Sequence, residues 1–217
     1  MRRAPVEDER AAALKAAEAG AQLGAIAKIA GNPASRLSDA ALRALMRCLG
    51  AESKAVRRHA AGAAALAAAH DPRILAALHT LLESVAPRAR FGAAYALGLA
   101  QSDTFDLRAA NALYEALGDA DGDVRWAAHD LIMRLGAAFP AEVRAGLLTL
   151  AARTDAPDAR KMALYCLRDL TPGGDEVLRA AIDASGADDT HVRLASLAIL
   201  ARLPAYRREA SAIAARI

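Results

Sequence analysis

The residues of this chain best suited to chemistry are few, and their spacing argues against most of what they could do. Five histidines, His59, His70, His79, His129 and His191, are scattered over 217 residues, with no His-Glu dipeptide and only two His-Asp pairs. Of those pairs, His70-Asp71 falls in a predicted loop and His129-Asp130 on a predicted helix of a non-adjacent segment, so no two-metal centre is expected. Asp119-Ala-Asp-Gly-Asp123 alternates carboxylates as a calcium loop begins. Such a loop needs glycine at its sixth position and a bidentate glutamate at its twelfth, where Val124 and Asp130 stand. It reads as a cap-rich turn. No glycine-rich phosphate loop, G-x-S-x-G elbow or zinc-spaced Cys/His set occurs, and nothing marks a nucleophile triad. No metal, cofactor or catalytic residue is therefore expected.

What remains is a set of aromatic and charged residues, placed by a repeat. Five stretches share one pattern: AVRRHAAGAAAL from Ala55, ARFGAAYALGL from Ala89, DVRWAAHDLIM from Asp123, DARKMALYCL from Asp158 and HVRLASLAIL from His191. Their arginines, Arg57, Arg90, Arg125, Arg160 and Arg193, are separated by 33, 35, 35 and 33 residues. A period of this size predicts stacked supersecondary units rather than one globular core. Valine and isoleucine are sparse, alanine is abundant and no strand-like alternation occurs, so the chain reads as all-α. The predicted first helices are 38–49, 73–83, 105–117, 140–152 and 175–184. The second helices are 53–69, 87–100, 123–136, 158–170 and 190–203. Gly50, Asp71-Pro72, Gly118, Gly136, Pro157, Thr171-Pro172-Gly173-Gly174 and Pro204 read as breakers. One alanine-rich helix over about 6–30 and another over about 205–216 are expected as caps, since terminal repeats must solvate an outer face.

Counted from each arginine, offsets +3, +4, +6, +7 and +10 are nearly always apolar and form the expected buried stripe. His129 and Cys166 fall on it, as a hydrogen-bonded packing residue and a small buried apolar residue. Offsets +1, +5 and +8 point nearly opposite. They carry Arg58, Phe91, Trp126, Lys161 and Leu194, then Gly62, Tyr95, Asp130, Tyr165 and Ala198, then Ala65, Gly98, Met133, Arg168 and Ala201. Four of the eight aromatics, including the single tryptophan, lie on these positions. Aromatic rings interleaved with charged side chains are the usual material of binding hot spots. Two readings stand at this point: the rings line a binding surface, or they pack between successive units.

Helix pairs of this length with the D-x-V-R-x-x-A-A-x-x-L signature resemble HEAT repeats, in particular the short bacterial type described as phycobilisome-lyase HEAT-like. The resemblance covers residues 38–203 of a single domain, with caps at 1–37 and 204–217. It implies a right-handed α-solenoid of about five HEAT-like helix pairs whose second helices line a concave groove. Arg58, Phe91, Tyr95, Trp126, Asp130, Met133, Lys161, Tyr165 and Arg168 would then face a partner. It also implies a ladder of Asp and Arg between neighbouring units, carried here by Arg57, Arg90, Asp123, Arg125, Asp158, Arg160 and Arg193. Ser53 and Pro87 stand where the first two units would need an aspartate.

A near-balanced charge of +3, from 28 basic and 25 acidic residues, offers no basic block and makes nucleic acid an unlikely partner. The two cysteines, Cys48 and Cys166, are too distant in sequence to suggest a disulfide, which favours a reducing compartment. The N-terminus lacks the apolar stretch of a secretory signal, and no run is long enough to span a bilayer. The expectation is a cytoplasmic, non-catalytic protein-interaction scaffold or adaptor that binds a peptide or helical protein segment, with no membrane insertion. Two enzymatic alternatives follow from resemblance. Trp126 and Asp130, with Tyr165 and Arg168, loosely resemble the concave site of HEAT-like DNA alkylation-repair glycosylases. The phycobilisome-lyase likeness implies a bilin lyase-like cavity.

Overall fold

The computed structural model describes residues 5–16, 18–100, 105–170, 174–202 and 211, with side chains from residue 9 onward. Among the described residues there are twelve helices and no strand. The helices are α1 (Pro5–Lys15), α2 (Ala19–Ala30), α3 (Asp39–Cys48), α4 (Lys54–Ala68), α5 (Pro72–Leu81) and α6 (Pro87–Leu99), then α7 (Leu107–Ala116), α8 (Gly122–Ala138), α9 (Pro140–Ala151), α10 (Pro157–Leu170), α11 (Asp175–Ala184) and α12 (Thr190–Leu200). None is long and apolar enough to cross a membrane. The expected C-terminal cap helix lies outside the described residues.

Two compact units emerge, Met1–Ala112 and Leu113–Ile217. In the first, α1 packs on α3 and α3 on α5, while α2 packs on α4 and α4 on α6. In the second, α8, α10 and α12 pack in succession, and α9 packs on α11. Each unit is thus a stack of helix pairs, the arrangement of an α-solenoid. The expected single N-terminal helix is instead two. The chain breaks between Lys15 and Ala19, and α1 and α2 form a further pair stacked on α3 and α4.

Turn chemistry sets the helix starts. Ser38 accepts from the Ala41 amide, Ser53 from Val56, Asp71 from Arg73, Asp121 from Asp123 and Asp189 from Val192. Each pairing satisfies an amide that the first helical turn leaves free, worth about 1 kcal/mol. The cap of α8 is therefore Asp121 rather than Asp123, and that of α12 is Asp189 rather than Thr190. Gly136, expected as a breaker, is buried inside α8, which runs on to Ala138. A methyl there would meet the Leu170 side chain of α10, so this glycine serves close helix approach. What ends α8 is Pro140, which opens α9.

The stripe predicted from the arginine offsets is the core. Ala60, Ala63 and Ala64 of α4, Ala93, Ala94 and Ala96 of α6, Ala128, Leu131 and Ile132 of α8, and Ala163, Leu164, Cys166 and Leu167 of α10 are all buried. Small residues let the layers approach closely. Gly50 lies against Ala89 in the first unit and Gly118 against Ala159 in the second, the same contact at the same repeat position. Gly92 is the tightest case, because a side-chain carbon there would overlap the Leu49 carbonyl. Gly62, by contrast, has open space where its side chain would be.

These two helical glycines should therefore respond in opposite directions. Gly62→Ala should raise stability by about 0.5–1 kcal/mol, through helix propensity alone. Gly92→Ala should lower it by about 1–3 kcal/mol, because the overlap with backbone forces the layers apart. Thermal and denaturant unfolding of the two variants checks both signs.

Candidate functional site

The repeated arginine is the fourth residue of α4, α6, α8, α10 and α12 alike, and each of these helices follows a five-residue turn. Arg57 Nη1 donates to the carbonyls of Ala51 and Glu52, both at 2.7 Å. Arg90 does the same to Ser84 and Val85, Arg125 to Asp119 and Ala120, and Arg193 to Ala187 and Asp188. The acceptors are always the residues six and five before the arginine. The resemblance implied an Asp–Arg ladder between units. At these four positions the arginine clamps the turn of its own pair.

Arg160 departs from the pattern. Its turn is occupied by an Arg153–Asp155 ion pair at 2.8 Å. Arg160 itself is buried, donates from Nε to the Ala151 carbonyl at 2.8 Å, and reaches Asp183 of α11 at 2.8 Å. It thereby joins its pair to the next. Beside it a cleft of about 440 Å³ opens, lined among others by Thr154, Asp183, Asp188 and Asp189. Of the remaining ladder residues, Asp158 pairs with Lys161 on its own helix and Asp123 donates its amide to Asp121.

On the opposite side of the second helices, none of the nine predicted partner-binding residues is buried. In the first unit Arg58 is exposed and Phe91 and Tyr95 are half-buried, their rings tilted at 43° with centroids 5.8 Å apart. In the second unit Trp126 is 61% exposed and Asp130 is exposed, while Met133, Lys161, Tyr165 and Arg168 are half-buried. Trp126 is thus the exposed ring of the four, and Phe91, Tyr95 and Tyr165 are each partly covered within their units.

Several of these side chains are tied together. The Arg168 guanidinium lies 5.0 Å from the Tyr165 ring centroid, and its Nε and Nη2 donate to the two oxygens of Asp169 at 2.7 and 2.8 Å. Arg202 reaches the same carboxylate at 3.6 Å and donates to the Arg168 carbonyl. Asp169 and Arg202 were not singled out in the sequence, because neither falls on the outward offsets. The Arg168 fork holds the Asp169 carboxyl below the usual carboxylate range, and Lys161 does the same for Asp158.

His129 is buried edge-on to Trp126, the centroids 5.5 Å apart at 68°. The expected hydrogen-bonded role is not what the geometry gives. Neither ring nitrogen has a hydrogen-bond partner among the described residues, and the carboxylates of Asp130 and Asp169 stand 3.6 Å from Nδ1 and Nε2. Among the described residues no group of three or more metal-ligating side chains could hold an ion.

Both cysteines are buried and free. Burial pushes the Cys166 thiol up to about 12, and raises that of Cys48, which lies 3.6 Å from the Leu14 carbonyl. Neither supplies a reactive thiolate. Native protein at about pH 8 should thus leave a chromogenic disulfide reagent unreacted, and denaturant should release both thiols. A second outcome concerns Asp169. Its carboxyl is depressed in the fold, so the stabilisation is complete above the usual carboxylate range and is lost as pH falls through the lowered value. Arg168→Gln should accordingly make the acid side of the stability–pH curve shallower below about pH 4, measured by thermal melting.

Residues 43–132 match the family model described as HEAT repeats. No curated protein matches the chain. Among solved structures, an engineered protein determined as a structural-genomics target shares 18% identity, covering 92% of this chain and 99% of that one, with a TM-score of 0.43. A designed armadillo repeat protein in complex with the peptide (KR)4 shares 17% identity, covering 91% of this chain and 99% of that one, with a TM-score of 0.42. The sequence likeness to HEAT repeats thus runs from α3 into α8.

Proposed function

We propose that this chain is a non-catalytic interaction module of the short, phycobilisome-lyase HEAT-like type, which binds a peptide or helical protein segment on the outward face of its second helices. The observation that carries this reading is the exposure of Trp126. An indole is the largest apolar side chain available, and a monomer would gain by covering it. Here it is 61% exposed on a helix whose other side buries Val124, Ala128, His129, Leu131 and Ile132. It shares that outward face with Asp130 and Met133, while α10 presents Lys161, Tyr165 and Arg168 and the first unit presents Arg58, Phe91 and Tyr95. Rings and arginine beside mobile polar groups are what partner hot spots are built from. Two buried, free thiols fit a reducing, cytoplasmic setting.

The test is a double substitution, Trp126→Ala with Tyr165→Ala. Both side chains face outward, so helicity and melting temperature should stay close to wild type. Affinity capture from the source cell, quantified by mass spectrometry, should lose its specific partner. Collapse of the melting transition would instead make the rings structural, and unchanged capture would remove this face from the function.

A further inference from the structure

Two helices of the second unit carry the same triplet: an aromatic residue, a nitrogen base three positions on, and an aspartate four positions on. On α10 these are Tyr165, Arg168 and Asp169, and on α8 they are Trp126, His129 and Asp130. On α10 the three members of the triplet contact one another, with Arg202 also reaching Asp169. The Arg168 cation sits over the Tyr165 ring at 5.0 Å and is forked onto Asp169 at 2.7 and 2.8 Å. A cation is thereby held between a ring face and a carboxylate, each of which attracts it.

On α8 the middle residue behaves differently. His129 turns into the core, with only 9% of its surface exposed, in a T-shaped contact with Trp126 and with its Nδ1 3.6 Å from the Asp130 carboxylate. The counterparts on α8 of the two walls that hold Arg168 touch His129 on their inner side and are open to solvent over most of their surface. Trp126 is 61% exposed and the Asp130 side chain 73% exposed. Among the described residues no lysine or arginine comes within ion-pair distance of Asp130. Residues four apart on a helix stand on one face, about 6 Å apart, a span that one guanidinium or ammonium group can bridge. An indole is the strongest of the aromatic faces for a cation. The neighbouring cations do not repel an incomer strongly, because Lys161 is paired with Asp158 and Arg168 with Asp169.

We propose that the Trp126–Asp130 face of α8 receives a lysine or arginine side chain from a basic segment of the partner, its charge lying over the indole and against the Asp130 carboxylate. This rests on the partner-binding reading above and specifies the chemistry of what is bound. The segment supplies in trans what Arg168 supplies within α10.

The chain has a single tryptophan, so its fluorescence reports on this face alone. Full-length protein is titrated with octa-arginine, octaglutamate, octaserine and a leucine-rich amphipathic peptide of the same length. Octa-arginine should quench Trp126, and the other three should not. By anisotropy of labelled octa-arginine, Asp130→Asn should weaken binding about threefold, a loss that shrinks as salt is raised. Trp126→Ala should weaken it about fivefold, and Glu142→Gln, on exposed α9 surface, should leave it unchanged. Circular dichroism confirms that each variant is folded. Octa-arginine binding that is indifferent to Asp130 overturns the proposal. So does quenching by octaglutamate or the leucine-rich peptide in place of octa-arginine, although the partner-binding reading then stands. Absence of quenching by all four overturns the proposal, and loss of lysate capture in the Trp126 and Tyr165 variant shows separately whether the broader reading survives.

Discussion

In four of the five repeats, a half-buried guanidinium reaching back to two carbonyls of the preceding turn is the interaction on which the helix pair depends. Five-residue turns leave backbone oxygens that no helix can satisfy, and an arginine three residues into the next helix meets them at a fixed distance. A hydrogen bond from a charged donor to a carbonyl is worth about 1.5–3 kcal/mol, more than a neutral one. In each clamp one guanidinium nitrogen, Nη1, donates to both adjacent carbonyls. The arginine thus fixes the angle at which the second helix leaves the turn, and with it which side of that helix is buried and which faces out. The recurrent Arg at 33–35 residues is the trace of this joint in the sequence.

Once that angle is set, the division of labour between faces follows. The inner stripe of the second helices is largely alanine and leucine, which lets layers approach to the point where Gly92 has room for no side chain at all. Tyr114 of α7 is a ring that the interior does take in, in the space left beside Gly146. Phe91, Tyr95, Trp126 and Tyr165 are carried outward, where they combine with charges that would be costly to bury. His129 is a polar residue on the inner side, as Ser196 is on α12. It is an imidazole among apolar neighbours, with carboxylates at 3.6 Å and no closer partner among the described residues.

The period, the pairing and the buried stripe were legible because each depends on residue type at a fixed spacing. The outward positions were legible for the same reason, since 100° per residue places them opposite the core. The role of the arginines was not. Their acceptors are main-chain carbonyls, which leave no mark on side-chain identity, and the resemblance to a known family pointed to aspartates instead. The break between α1 and α2 was missed because the residues there are alanine and glutamate, which are good helix formers. Gly136 was read as a terminator when its smallness serves a neighbour distant in sequence, Leu170. The Arg168–Asp169 fork escaped notice because adjacent residues on a helix diverge by about 100°, and only the length of the arginine side chain brings them together.

One consequence reaches beyond the single molecule. Because Arg57, Arg90, Arg125 and Arg193 each secure the bend directly before them, a joint carries its own fastening wherever it is copied. A gene of this design can lengthen or shorten by duplicating or deleting whole two-helix modules, leaving every surviving bend chemically complete. The side chains that such an exchange would sever are those reaching into a neighbouring module, as Arg160 does to Asp183 and Arg73 to Asp39 and the Leu37 carbonyl.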